Sequence, residues 1–119
     1  MVKLVYIAGP FRGKNSWEVE RNIRRAEELG MRVAEMGATP IVPHTMYRFW
    51  DGTLNDEFWL ECCRRILDMC DAVVVTDSWE NSSGTRGEIR KAEDDKLVFY
   101  SEHTVDMIRL QKWIDRRNG

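Results

Sequence analysis

KLVYIAGP, at residues 3–10, places a run of strand-forming residues directly before a glycine and a proline. A short and nearly unbroken apolar run of this kind is typical of a strand that is buried on both faces of a parallel sheet. Ligands bind such sheets outside the carboxyl ends of the strands. The residues that follow Ala8 are therefore expected to face a ligand.

The same alternation of short apolar runs and longer amphipathic segments continues along the chain. Further strands are predicted at residues 39–42, 72–76 and 97–100. Helices are predicted from Asn15 to a stop at Gly37, and at residues 55–69, 85–94 and 104–117. On the second helix, the stripe expected to face inward is Phe58, Trp59, Cys62, Ile66 and Met69. Alternating strands and helices predict a parallel sheet with helices on both faces, in a single domain at residues 1–119.

Composition excludes several classes of partner. The chain has 119 residues and a net charge of −2, which disfavours a nucleic acid or an anionic membrane surface. No apolar run approaches the roughly 20 residues of a membrane span. The three cysteines all lie within residues 62–70, so a reduced and cytoplasmic protein is expected. They have no C-x-x-C spacing and no histidine pair, and no metal site is predicted.

The loop after the first strand combines flexibility with positive charge. Gly9 and Gly13 allow a close approach of the backbone to a ligand, and Arg12 and Lys14 supply charge. The spacing is not that of a P-loop. The alternative is a tight turn with solvated charges.

The loop after the third strand begins at Asp77 and leads into a helix at Ser82, Ser83 and Gly84. Free amides and hydroxyl groups at a helix N-terminus are suited to a phosphate. Glu88 lies about one turn into that helix, where its carboxylate could point back over the strand ends. The alternative is that these residues form an ordinary N-cap with a first-turn acid.

Several aromatic residues fall at or just after strand ends, where a base could stack on them. They are Tyr6, Phe11, Tyr47 and Trp50. His44 follows the second strand and a proline, at the expected rim of the site. No nucleophilic elbow accompanies it, so a catalytic triad is not predicted.

Taken together, these segments resemble the nucleoside 2-deoxyribosyltransferase superfamily over residues 2 to about 100. The matching motifs are YIAGPFRG at residues 6–13, Pro43-His44, CDAVVV at residues 70–75, Trp79, and the spacing from Ser82 to Glu88. The resemblance is greatest to a branch of domains designated DUF4406, and next to the 2′-deoxynucleoside 5′-phosphate N-hydrolases. It implies a flavodoxin-like, Rossmann-type three-layer sandwich with a parallel sheet of four or five strands in the order 2-1-3-4. It also implies no cofactor and a homodimer or higher homo-oligomer.

The resemblance further implies a chemistry. Glu88 matches a nucleophile that attacks C1′ of a (deoxy)ribose and displaces the base, and Tyr6 matches a tyrosine beside it. Ser82 and Arg12 match residues that bind a 5′-phosphate in the hydrolases. The predicted substrate is therefore a nucleoside 5′-monophosphate. The predicted substrate-binding residues are Gly9, Phe11, Arg12, His44, Trp50, Asp77, Ser82, Ser83 and Gly84.

One position departs from the resemblance. Cys63 stands where the family has an aspartate that helps to protonate or orient the base, and a thiol is a poor general acid at neutral pH. Asp56 and Asp77 are the candidate substitutes. The open alternatives are a slower hydrolase, a hydrolase with a different base, a deoxyribosyltransferase, and a nucleotide-binding protein without turnover.

Overall fold

The computed structural model describes residues 2–118, where four strands alternate with five α-helices. The strands are β1 (Leu4–Ala8), β2 (Thr39–Ile41), β3 (Ala72–Val75) and β4 (Leu97–Tyr100). The helices are α1 (Ser16–Met36), α2 (Pro43–Met46), α3 (Asp56–Asp68), α4 (Ser83–Glu93) and α5 (Thr104–Asn118), with a 3₁₀ turn at Trp79–Asn81.

All neighbouring strands are parallel, in the order β2-β1-β3-β4. Both the parallel sheet and this order are confirmed. Ala8 pairs with Val75, so β1 and β3 end side by side. The loops that leave these two strands therefore meet at the same edge of the sheet.

The side chains of β1 alternate between two buried layers, as the pleat of a strand requires. Val5 and Ile7 pack against α1 and α5. Tyr6 and Ala8 face the opposite layer, which contains residues of α3 and α4. The result is a three-layer sandwich of the flavodoxin-like type. It places the phenol of Tyr6 on the side of the sheet that carries α4.

The ends of α1 follow the signals in the sequence. The side chain of Asn15 accepts a hydrogen bond from the amide of Glu18 at 2.9 Å, which caps the helix. Gly37 ends the helix in the left-handed conformation, with φ of 106°. Both signals predicted the observed boundaries.

The inward face of α3 differs from the predicted stripe. Phe58 and Met69 are 47% and 67% exposed, so the prediction is wrong for these two residues. The face that packs against the sheet is formed by Cys63, Ile66, Leu67 and Cys70. Both sets have the three- and four-residue spacing of one helix face, but the face that packs is rotated around the helix axis from the predicted one.

The two shortest helical elements, α2 and the 3₁₀ turn, escaped prediction because they are too short to show a periodicity. Pro43 occupies the first turn of α2, where its missing amide is not needed.

No helix within residues 2–118 combines the length and the apolar character needed to cross a membrane.

Candidate active site

A cavity of about 720 Å³ opens at the edge of the sheet where β1 and β3 end. This volume lies within the range of small-molecule sites, about 300–1,000 Å³. The predicted site residues that line it are Tyr6, Gly9, Phe11, Arg12, His44, Ser82, Ser83, Gly84 and Glu88. The fold thus gathers residues from β1 and the loop after it, from α2, and from the first turns of α4 around one space.

Two of these residues form a pair inside the cavity. The hydroxyl group of Tyr6 donates a hydrogen bond to Oε2 of Glu88. Glu88 is half-buried, and its removal from water raises the pKa of the carboxyl group to about 7, against the opposing effects of the Tyr6 hydrogen bond and the charge of Arg64. Burial and the charge of Glu88 hold the pKa of Tyr6 well above its ordinary value. The phenol therefore remains a donor, and a substantial fraction of Glu88 is ionised at neutral pH.

Cys63 lines the same cavity from α3 and is half-buried. Burial, reinforced by the charge of Glu88, raises the pKa of this thiol to about 11. Cys63 is therefore an uncharged thiol throughout the physiological range.

The N-terminus of α4 presents hydrogen-bond donors to the cavity. Ser82 caps the helix, and its Oγ accepts from the amide of Thr85 at 3.2 Å and from the hydroxyl of Thr85 at 2.9 Å. A hydroxyl group has two acceptor positions and one proton, so the O–H of Ser82 is left to donate. The amides of Ser83 and Gly84 have no acceptor within the helix. The N-cap interpretation is correct for Ser82, and it leaves three donors for an anion.

The glycine at position 9 is required by the neighbouring strand. A Cβ atom at Gly9 would lie 2.2 Å from Oγ1 of Thr76, which follows β3. The absence of a side chain therefore permits β1 and β3 to run side by side up to the cavity. Close approach of a ligand is not needed to explain this glycine.

Two side chains hold the first loop in place. The amide group of Asn22 donates to the carbonyl oxygens of Phe11 and Arg12 at 3.2 and 3.0 Å. His44 is buried beneath the loop, instead of lying at the rim, and its Nε2 donates to the carbonyl oxygens of Gly9 and Pro10 at 3.0 and 3.1 Å. Burial lowers the pKa of His44, so the ring is neutral and supports the loop.

The mouth of the cavity is bridged by an ion pair. Arg12 contacts Asp56 at the beginning of α3, and both side chains are more than half exposed. The carboxylate of Asp56 is thus held by Arg12. An anionic ligand could draw Arg12 away from Asp56, because the exposed pair is only weakly stabilising.

Two predicted site residues lie elsewhere. Asp77 lines a second, smaller cavity of about 280 Å³ together with Thr76 and Ser101, because the backbone after β3 turns toward α1. Trp50 does not line the main cavity, but its ring stacks at 6.0 Å on Trp59, which does.

The cavity also contains residues that the motifs did not single out. Arg21 and Arg25 line it from α1, and their four-residue spacing on one helix face was the available signal. Asp51 and Trp59 line it at the mouth. Trp59 was expected in the core because aromatic residues at helical spacing are typical of buried faces.

Among residues 2–118, no group of three or more histidine, cysteine or acidic side chains could hold a metal ion.

The fold and the cavity define a parallel α/β domain with a ligand-sized site at the carboxyl edge of its sheet. Residues 3–101 match the family model described as Domain of unknown function (DUF7768), and the chain belongs to that family. No curated protein matches the chain.

Proposed function

We propose that the protein hydrolyses the N-glycosidic bond of a nucleoside 5′-monophosphate, ribo or deoxy, and releases the free base and the sugar 5-phosphate. The observation that carries this proposal is the Tyr6–Glu88 hydrogen bond, which holds a carboxylate inside a cavity that also presents the donors of the α4 N-terminus. The resemblance of the motifs to the deoxyribosyltransferase superfamily supports the same chemistry.

Glu88 acts as the nucleophile. Its carboxylate attacks C1′ through an oxocarbenium-like transition state, as in a retaining glycosidase, and water then hydrolyses the glycosyl ester. Tyr6 orients the carboxylate and leaves one of its oxygens free to react. The pKa of about 7 suits this role for two reasons. A substantial fraction of the carboxyl group is ionised at neutral pH, and a carboxylate with a higher pKa is a better nucleophile.

The 5′-phosphate is bound by the O–H of Ser82 and the amides of Ser83 and Gly84. Glu88 lies six positions after Ser82, which corresponds to roughly 9 Å along a helix and leaves room for the sugar. Arg12 leaves its ion pair with Asp56 and binds the phosphate instead. The base lies toward the aromatic side chains of Phe11 and Trp59, which line the cavity.

Base release from a panel of nucleosides and their 5′-monophosphates tests this function. We expect release from at least one monophosphate and little from the matching nucleoside. Ser82→Ala should raise KM for the monophosphate and leave the rate with the nucleoside nearly unchanged, whereas Ser101→Ala, outside this cavity, should change neither. Release only in the presence of an acceptor base would identify a transferase instead.

The uncharged thiol of Cys63 favours a second candidate, a nucleotide-binding protein without turnover. This candidate predicts a thermal shift on addition of a nucleotide but no free base after prolonged incubation. The same panel therefore separates the two functions.

The assembly we propose is a cytoplasmic homodimer or higher homo-oligomer. A cluster of exposed apolar side chains next to the cavity mouth provides the contact surface, and exposed clusters of this kind mark interaction sites. Its members are Met46, Phe49, Trp50, Leu54 and Phe58. The three free cysteines agree with a reducing compartment.

A further inference from the structure

The bond that breaks in the proposed reaction leaves an electron pair on the base nitrogen. A neutral base therefore departs as an anion unless a general acid supplies a proton. The groups beside Glu88 are Tyr6 and Cys63. The hydroxyl proton of Tyr6 is committed to Glu88, and the thiol of Cys63, with a pKa of about 11, is a very weak acid.

The remaining titratable side chains of the cavity do not supply a proton either. Asp56 is 58% exposed and is paired with the guanidinium of Arg12 until Arg12 turns to the phosphate. Glu18 accepts a hydrogen bond from the backbone amide of Lys14 at 2.7 Å. Asp51 is exposed, and the N–H of His44 points at backbone carbonyl oxygens. Among the described residues that line the cavity, every carboxyl group other than Glu88 is therefore exposed or already bound to a donor.

Aromatic rings and carboxylates instead line the cavity together. The rings of Tyr47 and Trp59 lie 4.9 Å apart at 45°, and both line the cavity. Asp51 and Asp56 line the same cavity. Aromatic faces that occur together with carboxylates are the features that recognise an organic cation.

We propose that the base of the substrate carries a formal positive charge, so that the substrate is an N-glycosyl pyridinium 5′-phosphate of the nicotinamide mononucleotide type. This inference rests on the proposed function and names its substrate class. The pyridinium ring lies against Tyr47 and Trp59, and its charge is balanced by Asp51 and Asp56.

Atoms and charges balance in the proposed cleavage although no general acid takes part. A carboxylate oxygen of Glu88 forms a bond to C1′, the C1′–N bond breaks, and its electron pair neutralises the ring nitrogen, so that the base leaves uncharged. Water then hydrolyses the glycosyl ester, which regenerates the carboxylate and releases one proton to solvent. The net reaction consumes one water molecule and yields the pyridine base, the sugar 5-phosphate and one proton.

The experiment compares nicotinamide mononucleotide, its reduced form and the 5′-monophosphates of the common neutral bases. The reduced form is the matched ligand, because its dihydropyridine ring has nearly the same shape but no charge. We expect kcat/KM for nicotinamide mononucleotide to exceed that of the best neutral-base nucleotide at least tenfold. One proton should be released per nicotinamide, and the reduced form should not be cleaved.

Trp59→Leu should raise KM for nicotinamide mononucleotide several-fold, while Trp17→Leu, at an exposed position outside the cavity, should not. Cleavage of a neutral-base nucleotide at an equal or higher rate overturns the inference and leaves the proposed function standing. Equal cleavage of the reduced form also overturns it. If no nucleotide of either kind loses its base, both the inference and the proposed function fail.

Discussion

Tyr6 on β1 and Glu88 on α4 are 82 residues apart in the chain and share a hydrogen bond at the floor of the cavity. The donor belongs to the central part of the sheet, where its side chain is almost fully buried. The acceptor belongs to the helix whose first amides face the cavity. The carboxylate is therefore held by the core of the protein, and its ionisation is linked to the stability of the fold.

Replacement of Glu88 by glutamine should stabilise the protein in a pH-dependent manner. The pKa of this carboxyl group is about 7 in the folded protein, against 4.5 ordinarily, so the folded state binds the proton more tightly than the unfolded chain does. The parent protein therefore loses stability as the pH rises between these two values. Urea unfolding should show Glu88→Gln near parity with the parent at pH 4 and more stable by roughly 2–3 kcal/mol at pH 8.

Glu35→Gln, at an exposed position on α1, is the matched control, and its stability should stay within about 0.5 kcal/mol of the parent throughout this range. The quantity to compare is the difference in unfolding free energy between Glu88→Gln and the parent. If this difference is the same at pH 8 as at pH 4, Glu88 is not withdrawn from water.

Gly9 and Thr76 should be energetically coupled. Gly9→Ala places a Cβ atom 2.2 Å from Oγ1 of Thr76 and should lower the free energy of unfolding by about 1–3 kcal/mol. Thr76→Ala removes the oxygen and the methyl group that meet this Cβ. The double variant should therefore be more stable than the sum of the single effects predicts, by about 1 kcal/mol or more in urea unfolding. Additive effects would contradict the packing described for the ends of β1 and β3.

Cys63→Asp should change which bases are released. A carboxyl group beside Glu88 would share its environment, and one of two neighbouring carboxyl groups retains its proton at neutral pH. This proton is available to a neutral leaving base, so release from neutral-base nucleotides should increase about tenfold or more. Cys62→Asp adds the same charge at the next position, which does not line the cavity, and should produce no such gain. Equal rates in the two variants would argue against a missing proton donor.

The exposed aromatic cluster should control assembly. Phe49 is 81% exposed, and Phe49→Asp would introduce a charge into the proposed contact surface. Sedimentation should show an oligomer for the parent and a monomer for this variant. Val105→Asp, at an exposed apolar position on α5, is the control and should sediment like the parent. A monomeric parent at high protein concentration would remove the proposed dimer.

The sequence predicted the sheet well because the strands of a doubly covered parallel sheet are short apolar runs that end at recognisable loops. The order of the strands and the caps at Asn15 and Gly37 followed from the same patterns and from the resemblance. The pairing of Tyr6 with Glu88 was also expected. Predictions were weaker where tertiary packing overrides local spacing, as at Met69, the exposed residue that caps the end of α3.

The details of the cavity wall could not be predicted from the motifs. The left-handed backbone of Ser78, with φ of 62°, has no sequence signal comparable to a glycine. Asp77 was assigned to the main site because it follows β3, but the direction of a side chain after a strand depends on how the loop turns. Arg21 and Arg25 belong to no motif, and they line the cavity because α1 lies beside the first loop, to which Asn22 is hydrogen-bonded.

Base release by the parent and by Glu88→Gln, measured chromatographically with the same nucleotide panel at pH 8, tests the central claim most directly. The variant keeps the shape of the side chain and can still accept the hydrogen bond from Tyr6, but it lacks the attacking carboxylate. We expect the parent to release base from a nucleoside 5′-phosphate and the variant to lose at least a thousandfold in kcat while it still binds the nucleotide. Release at the parent rate by Glu88→Gln would show that Glu88 is not the nucleophile, and the mechanism would be wrong.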